Sequence, residues 1–170
     1  TERIKKWVLV PKKSSHARLT MAGNAKALDR DHADTAAEIA WFGAYLLPLG
    51  TELIFDTPKA VPCWTMTIGD RYVEDYLLDG EKGGGFYMEH HDCPHLHVPM
   101  NKDSSGFIIL GKKTMDEKYL MVSAFHIPFG KGLYMPPGTI HCDAFLTGRY
   151  MCAYTNAPNF STAIFRSVKG

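Results

Sequence analysis

The sequence predicts an all-β domain, a sandwich or barrel of short strands, with one helix near its N-terminus. Short apolar or alternating runs recur from Thr51 to the end of the chain. Turn residues separate them at close spacing, and only one earlier segment has the punctuation of a helix. The 170 residues match one domain, read as spanning 1–170, and a 45% hydrophobic content can fill its core.

Taken in chain order, Thr1–Val10 holds a short apolar run with charges on both sides and no small-residue cleavage pattern, so it does not read as a signal peptide. Residues 11–32 are polar and irregular, with Pro11, Lys12, Lys13, Ser14 and Ser15, and read as a surface segment. A helix is expected from Asp34 to Leu47. Asp34 is its cap, Thr35 and Glu38 have capping-box spacing, and Pro48 and Gly50 end it. The β runs then follow: Glu52–Phe55, Val61–Ile68, Phe86–His91, His95–Met100, Phe107–Leu110, Tyr119–Ile127, Leu133–Met135, Tyr150–Tyr154 and Ala163–Val168. Gly-rich turns divide them, among them Asp79-Gly80, Gly83–Gly85, Ser104–Gly106, Gly130, Gly138 and Gly148. Arg71–Leu78 also admits a helical reading, which periodicity does not decide.

Composition excludes some partners. A formal net charge of +1 with 22% charged residues gives no electrostatic footprint for nucleic acid or for an anionic membrane. No apolar run approaches the roughly 20 residues that span a bilayer. The four cysteines, Cys63, Cys93, Cys142 and Cys152, show no CxxC spacing and read as reduced thiols of a cytoplasmic protein. Cys63 and Cys152 are expected to pack in the core, as are Trp7, Trp41 and Trp64.

The chemistry sits in two stretches. In Gly83–Pro99, four of the eight histidines fall within eight residues. Side chains two apart on a strand share a face. Tyr87, Glu89 and His91 therefore point one way and His90 the other, and His95 and His97 share a face if they lie on the next strand. Neutral imidazole is the commonest protein metal ligand, and a carboxylate completes such sites for Zn, Fe, Mn or Ni. In Gly130–His141, the Pro136-Pro137-Gly138 turn aims His141 back into the fold.

Together the two stretches resemble the paired motifs of the cupin superfamily. In the first motif, five residues follow Gly83, and Glu89-His90-His91 stands where the family has His-x-His. His95 stands where it has Glu, and Lys102 replaces the closing Gly. In the second, Gly130, Pro136, Gly138 and His141 match, and Phe145 replaces Asn. The resemblance covers about residues 83–155, with the motifs at about 83–102 and 130–145. It implies an antiparallel jelly-roll barrel, a divalent transition metal held by Glu89, His91, His95 and His141, and a homodimer. The alternative register, His95-x-His97, uses the more familiar pair but has no Glu at the right distance.

Within the superfamily the chain is similar to ureidoglycolate lyases, through Glu89-His90-His91, Val98-Pro99 and Tyr134 to His141. That implies a metal-dependent lyase acting on a small oxygen-rich metabolite, with a dioxygenase or isomerase as alternatives. A small-molecule binding module without turnover is the reading of another class. A divalent ion with three imidazoles and one carboxylate keeps a net charge of about +1, which would attract a substrate carboxylate. His97 or His90 is then the spare imidazole that moves a proton, and Tyr87 a pocket acid or hydrogen-bond donor. Cys142 and Asp143 are expected at the rim, Cys93 in a turn, Tyr134 in the core and His126 buried and hydrogen-bonded. His16 and His32 are given no role.

Overall fold

A computed structural model describes residues 7–11, 17–21, 32–54, 61–69, 71–117, 119–154 and 159–165. Among the described residues there are one α-helix, α1 (His32–Trp41), and thirteen strands. They are β1 (Trp7–Pro11), β2 (Ala17–Met21), β3 (Tyr45–Pro48), β4 (Cys63–Ile68), β5 (Phe86–His91), β6 (His95–Pro99), β7 (Ser105–Gly106), β8 (Ile108–Lys113), β9 (Leu120–Phe125), β10 (Lys131–Met135), β11 (Ile140–Cys142), β12 (Leu146–Ala153) and β13 (Phe160–Phe165). One sheet has seven strands in the order β13-β5-β11-β8-β9-β1-β2. The other has six described strands, β3-β10-β6-β12-β4 with β7 beside β12. Every described pairing within them is antiparallel, as a jelly roll requires.

Two-residue periodicity decides what each face carries. On β5, Met88 joins an apolar cluster with Ile109, Val122 and Cys142 on the outer face of the larger sheet, covered in part by Leu77. Tyr87 and Glu89 point to the other face. Between the sheets, Ile108 and Leu110 of β8, Phe125 of β9, Leu133 of β10 and Tyr150 of β12 form the main core. Residues 73–77 form a single π-helical turn, the helical alternative for that segment. The motif residue Gly83 sits against it, where an added Cβ would lie 2.6 Å from the Leu77 carbonyl oxygen.

Several expectations are corrected. The helix ends at Trp41 rather than Leu47, because Phe42 and the left-handed Gly43 (φ 87°) turn the chain into β3. It begins at His32, so Asp34 lies inside its first turn. Residues 51–54 form no strand. Ala17–Met21 pairs with β1 as a hairpin where an irregular surface segment was expected. Trp41 and Trp64 are each 46% exposed, not core, and Trp41 is instead capped by the Lys112 ammonium 4.4 Å from its ring. Cys63 is exposed while Cys152 is buried. The side chain of Trp7 and residue His16 lie outside what is described, as does the side chain of His32. Among the described residues no helix is long and apolar enough to cross a membrane.

Candidate metal centre

The site is built where the chain crosses from one sheet to the other. β5 ends at His91 in the larger sheet and β6 begins at His95 in the smaller. Only Asp92, Cys93 and Pro94 lie between them, so the two rings meet across the sandwich with centroids 4.2 Å apart. Asn159 holds the crossing in place, its side-chain N–H donating to Asp92 Oδ2 at 2.9 Å. His141 arrives from β11, directly opposite Glu89 in the sheet register. The Pro-Pro-Gly turn before it is pinned to the same crossing, because the Gly138 N–H donates to the His91 carbonyl at 2.7 Å. Gly138 has φ 81°, a left-handed conformation that favours glycine.

Two groups of side chains come within metal-holding range. The ligand atoms of His91, His95 and His141 all lie within 4.8 Å of one another, and so do those of His95, His97 and Asp143. The buried His cluster can hold a metal ion. Glu89 belongs to neither trio but stands beside the first, its Oε1 3.7 Å from His141 Nε2.

The imidazoles are set up as acceptors. The Thr139 carbonyl lies 2.9 Å from His141 Nδ1, so Nδ1–H donates there and the Nε2 lone pair faces the cluster. Five buried nitrogens lack a hydrogen-bond partner: Nδ1 and Nε2 of His91, Nδ1 of His95, Nε2 of His97 and Nε2 of His141. Among the described residues no other buried side-chain nitrogen or oxygen is left so. The Cys93 backbone faces the His91 ring outside hydrogen-bond geometry. An unmet buried polar group costs about 1–3 kcal/mol, so five on four neighbouring rings, each neutral ring with one lone pair to give, mark a place shaped to hold an ion.

Burial keeps these rings neutral. It lowers His91 and His97, brings His141 down to about 4, and, with the charges of the neighbouring imidazoles, brings His95 down to about 2. Ligand imidazoles must be neutral, so this favours metal uptake. Burial and the nearby Asp143 raise Glu89, opposed by a hydrogen bond from Thr162. Burial also pushes Asp143 up, but the imidazoles of His97 and His141 and the Tyr87 hydroxyl outweigh it, and its carboxyl stays below the ordinary value.

Of the residues expected from sequence, Tyr87, Glu89, His91, His95, His97 and His141 gather here. His90 does not. It points to the opposite face of β5 and lines a pocket of about 240 Å³ with Met88, Leu120 and Ile140, which Glu89 also borders. Asp143, expected at the rim, is central. Its Oδ1 accepts from the Tyr87 hydroxyl at 2.9 Å and its Oδ2 lies 3.5 Å from His97 Nε2. Its signal was the same two-residue spacing from His141 that places Glu89 beside His91. Cys142, also expected at the rim, is fully buried on the outer face. Cys152 was read only as packing, yet its sulfur lies 3.2 Å from His97 Nδ1. His126 is exposed rather than buried, although its Nδ1 lies 3.2 Å from the Gly106 carbonyl.

Neither a protein-family model, nor a curated protein, nor a solved structure matches this chain.

Proposed function

We propose that this is a metal-dependent enzyme of the cupin type that acts on a small oxygen-rich molecule. The observation that carries the reading is the convergence of His91, His95 and His141 with their buried, unmet nitrogens. A divalent transition metal bound there supplies a Lewis acid with positions open to ligand oxygens. The trio offers the ion neutral nitrogens, and Glu89 stands beside it, 3.7 Å from His141 but outside the group that shares ligand range. Thr139 fixes the tautomer of His141. Asp143 holds the Tyr87 hydroxyl, the group best placed to keep a proton beside a bound ligand. Flanking sheets shield the rings from bulk water and so strengthen every polar contact inside.

Lyase, isomerase and dioxygenase chemistry all suit this arrangement. The ureide-lyase reading has the motif likeness alone behind it. The test is metal analysis of untagged protein, then a panel of ureides, hydroxy acids, diketones and catechols assayed with and without oxygen. Stoichiometric metal with turnover of any member supports the reading. Metal-free protein that takes up none on reconstitution overturns it, and tight ligand binding without turnover makes the protein a binding module.

A further inference from the structure

We infer that Asp143 sets the ligand class of this site: together with Glu89 it makes the pocket select uncharged, hydroxyl-bearing ligands over carboxylates. The inference rests on the metal-centre reading above. What an entering molecule meets is decided by exposure. The His97 and His141 side chains are 2% and 1% exposed, whereas those of Asp143 and Glu89 are 27% and 26% exposed. Of these four side chains the accessible ones are therefore the two carboxylates.

Charge counting gives the consequence. A divalent ion contributes two positive charges, the imidazoles are neutral, and two ionised carboxylates cancel the ion. The sum is the same whichever trio holds the metal. Asp143 is a ligand in one and a neighbour in the other, and Glu89 stays beside His141 in both. The net charge of about +1 expected from sequence counted Asp143 as a rim residue; its place beside His97 brings the sum to about zero. The described ion-pair partners of these carboxylates are histidines, His97 and His141, with no lysine or arginine. The Tyr87 O–H already donates to Asp143, so it is not free to meet an anion. A ligand carboxylate would add a third negative charge to a centre whose two carboxylates already balance the ion, with no lysine or arginine among their described ion-pair partners to offset it. The hydroxyls of an uncharged ligand would instead donate to the exposed carboxylate oxygens. A substrate bearing a free carboxylate, ureidoglycolate included, is disfavoured on this ground.

Glycolate and glycolamide are a matched pair of probes, nearly equal in shape and differing by one charge. Their affinities are read from the visible absorption of the cobalt(II)-loaded protein, whose cobalt content is measured on the same samples. The wild type should favour glycolate over glycolamide less than the aqueous cobalt ion does, by about tenfold. Asp143→Asn should raise the glycolate-to-glycolamide affinity ratio by about tenfold, because it removes the charge while its amide oxygen still accepts from Tyr87. Tyr87→Phe, which removes the hydroxyl and keeps the charge, should leave the ratio within about twofold of wild type. The wild-type comparison with the free ion stands even if Asp143→Asn does not fold. In protein that carries cobalt, an unchanged ratio in Asp143→Asn, a wild-type preference equal to that of the free ion, or no binding of either probe overturns the inference and leaves the metal centre standing. Absence of cobalt uptake overturns both.

Discussion

The space between the two sheets has two ends built on opposite terms. At one end Ile108, Phe125, Ile127 and Leu133 are closed off from water and satisfy one another. At the other, His95, His97 and His141 are nearly as shielded and His91 is half-buried, but the four rings leave five nitrogens unmet. The same strands serve both ends. β8 contributes Ile108 to the apolar core, and two residues on its Leu110 stands opposite His141. The difference teaches which end holds the fold and which end the fold carries. Apolar burial stabilises without help, whereas the histidine end lowers stability until something binds it.

The comparison can be broken or sharpened in four ways. The largest effect should come from acid. The folded pKa of His141, about 4, lies below the ordinary value of about 6.5. The unfolded chain therefore takes the proton first, and stability present above about pH 6.5 is lost as pH falls towards 4. His141 alone accounts for about 3 kcal/mol, with His95 acting in the same direction. Denaturant titrations of metal-free protein from pH 7.5 to 4 measure this, and a flat profile would remove the contrast between the ends. Next, Ile108→Ala should cost about 3 kcal/mol in the same titration at neutral pH while metal affinity holds. His141→Ala should do the reverse. Loss of a ligand should weaken metal binding by more than about a hundredfold, since losing even an outer partner costs tenfold to a hundredfold, while circular dichroism stays that of the folded protein. A variant that unfolds instead would move His141 into the core. The smallest effect belongs to His90→Ala, which points away from the site: stability within about 0.5 kcal/mol and unchanged metal uptake.

Alternation made most of this legible in the sequence. Phe86–His91 forms β5 with the expected bounds, and the facing of Tyr87, Glu89 and His91 followed from period two alone. The Pro-Pro-Gly turn identified His141. What escaped was set by contacts between distant segments. Asp143 looked like a rim residue because it follows His141 in the chain, and only the packing of β5 and β6 shows that it meets Tyr87 and His97. The helix was drawn too long because Tyr45–Pro48 is apolar enough to extend it, while pairing with β10 makes it a strand. Trp41 and Trp64 were placed inside on hydrophobicity, but one is covered by the stem and charge of Lys112 and the other lies on β4, the last strand of its sheet.

His95 is the one residue common to both trios. A neutral imidazole has a single lone pair to give, so an ion seated with His91 and His141 deprives the His97–Asp143 pair of its third donor, and the reverse holds too. The two trios compete for one occupant. Metal content should level off at about one equivalent per chain however much is supplied, with His95 the ligand that an ion keeps if it changes partners.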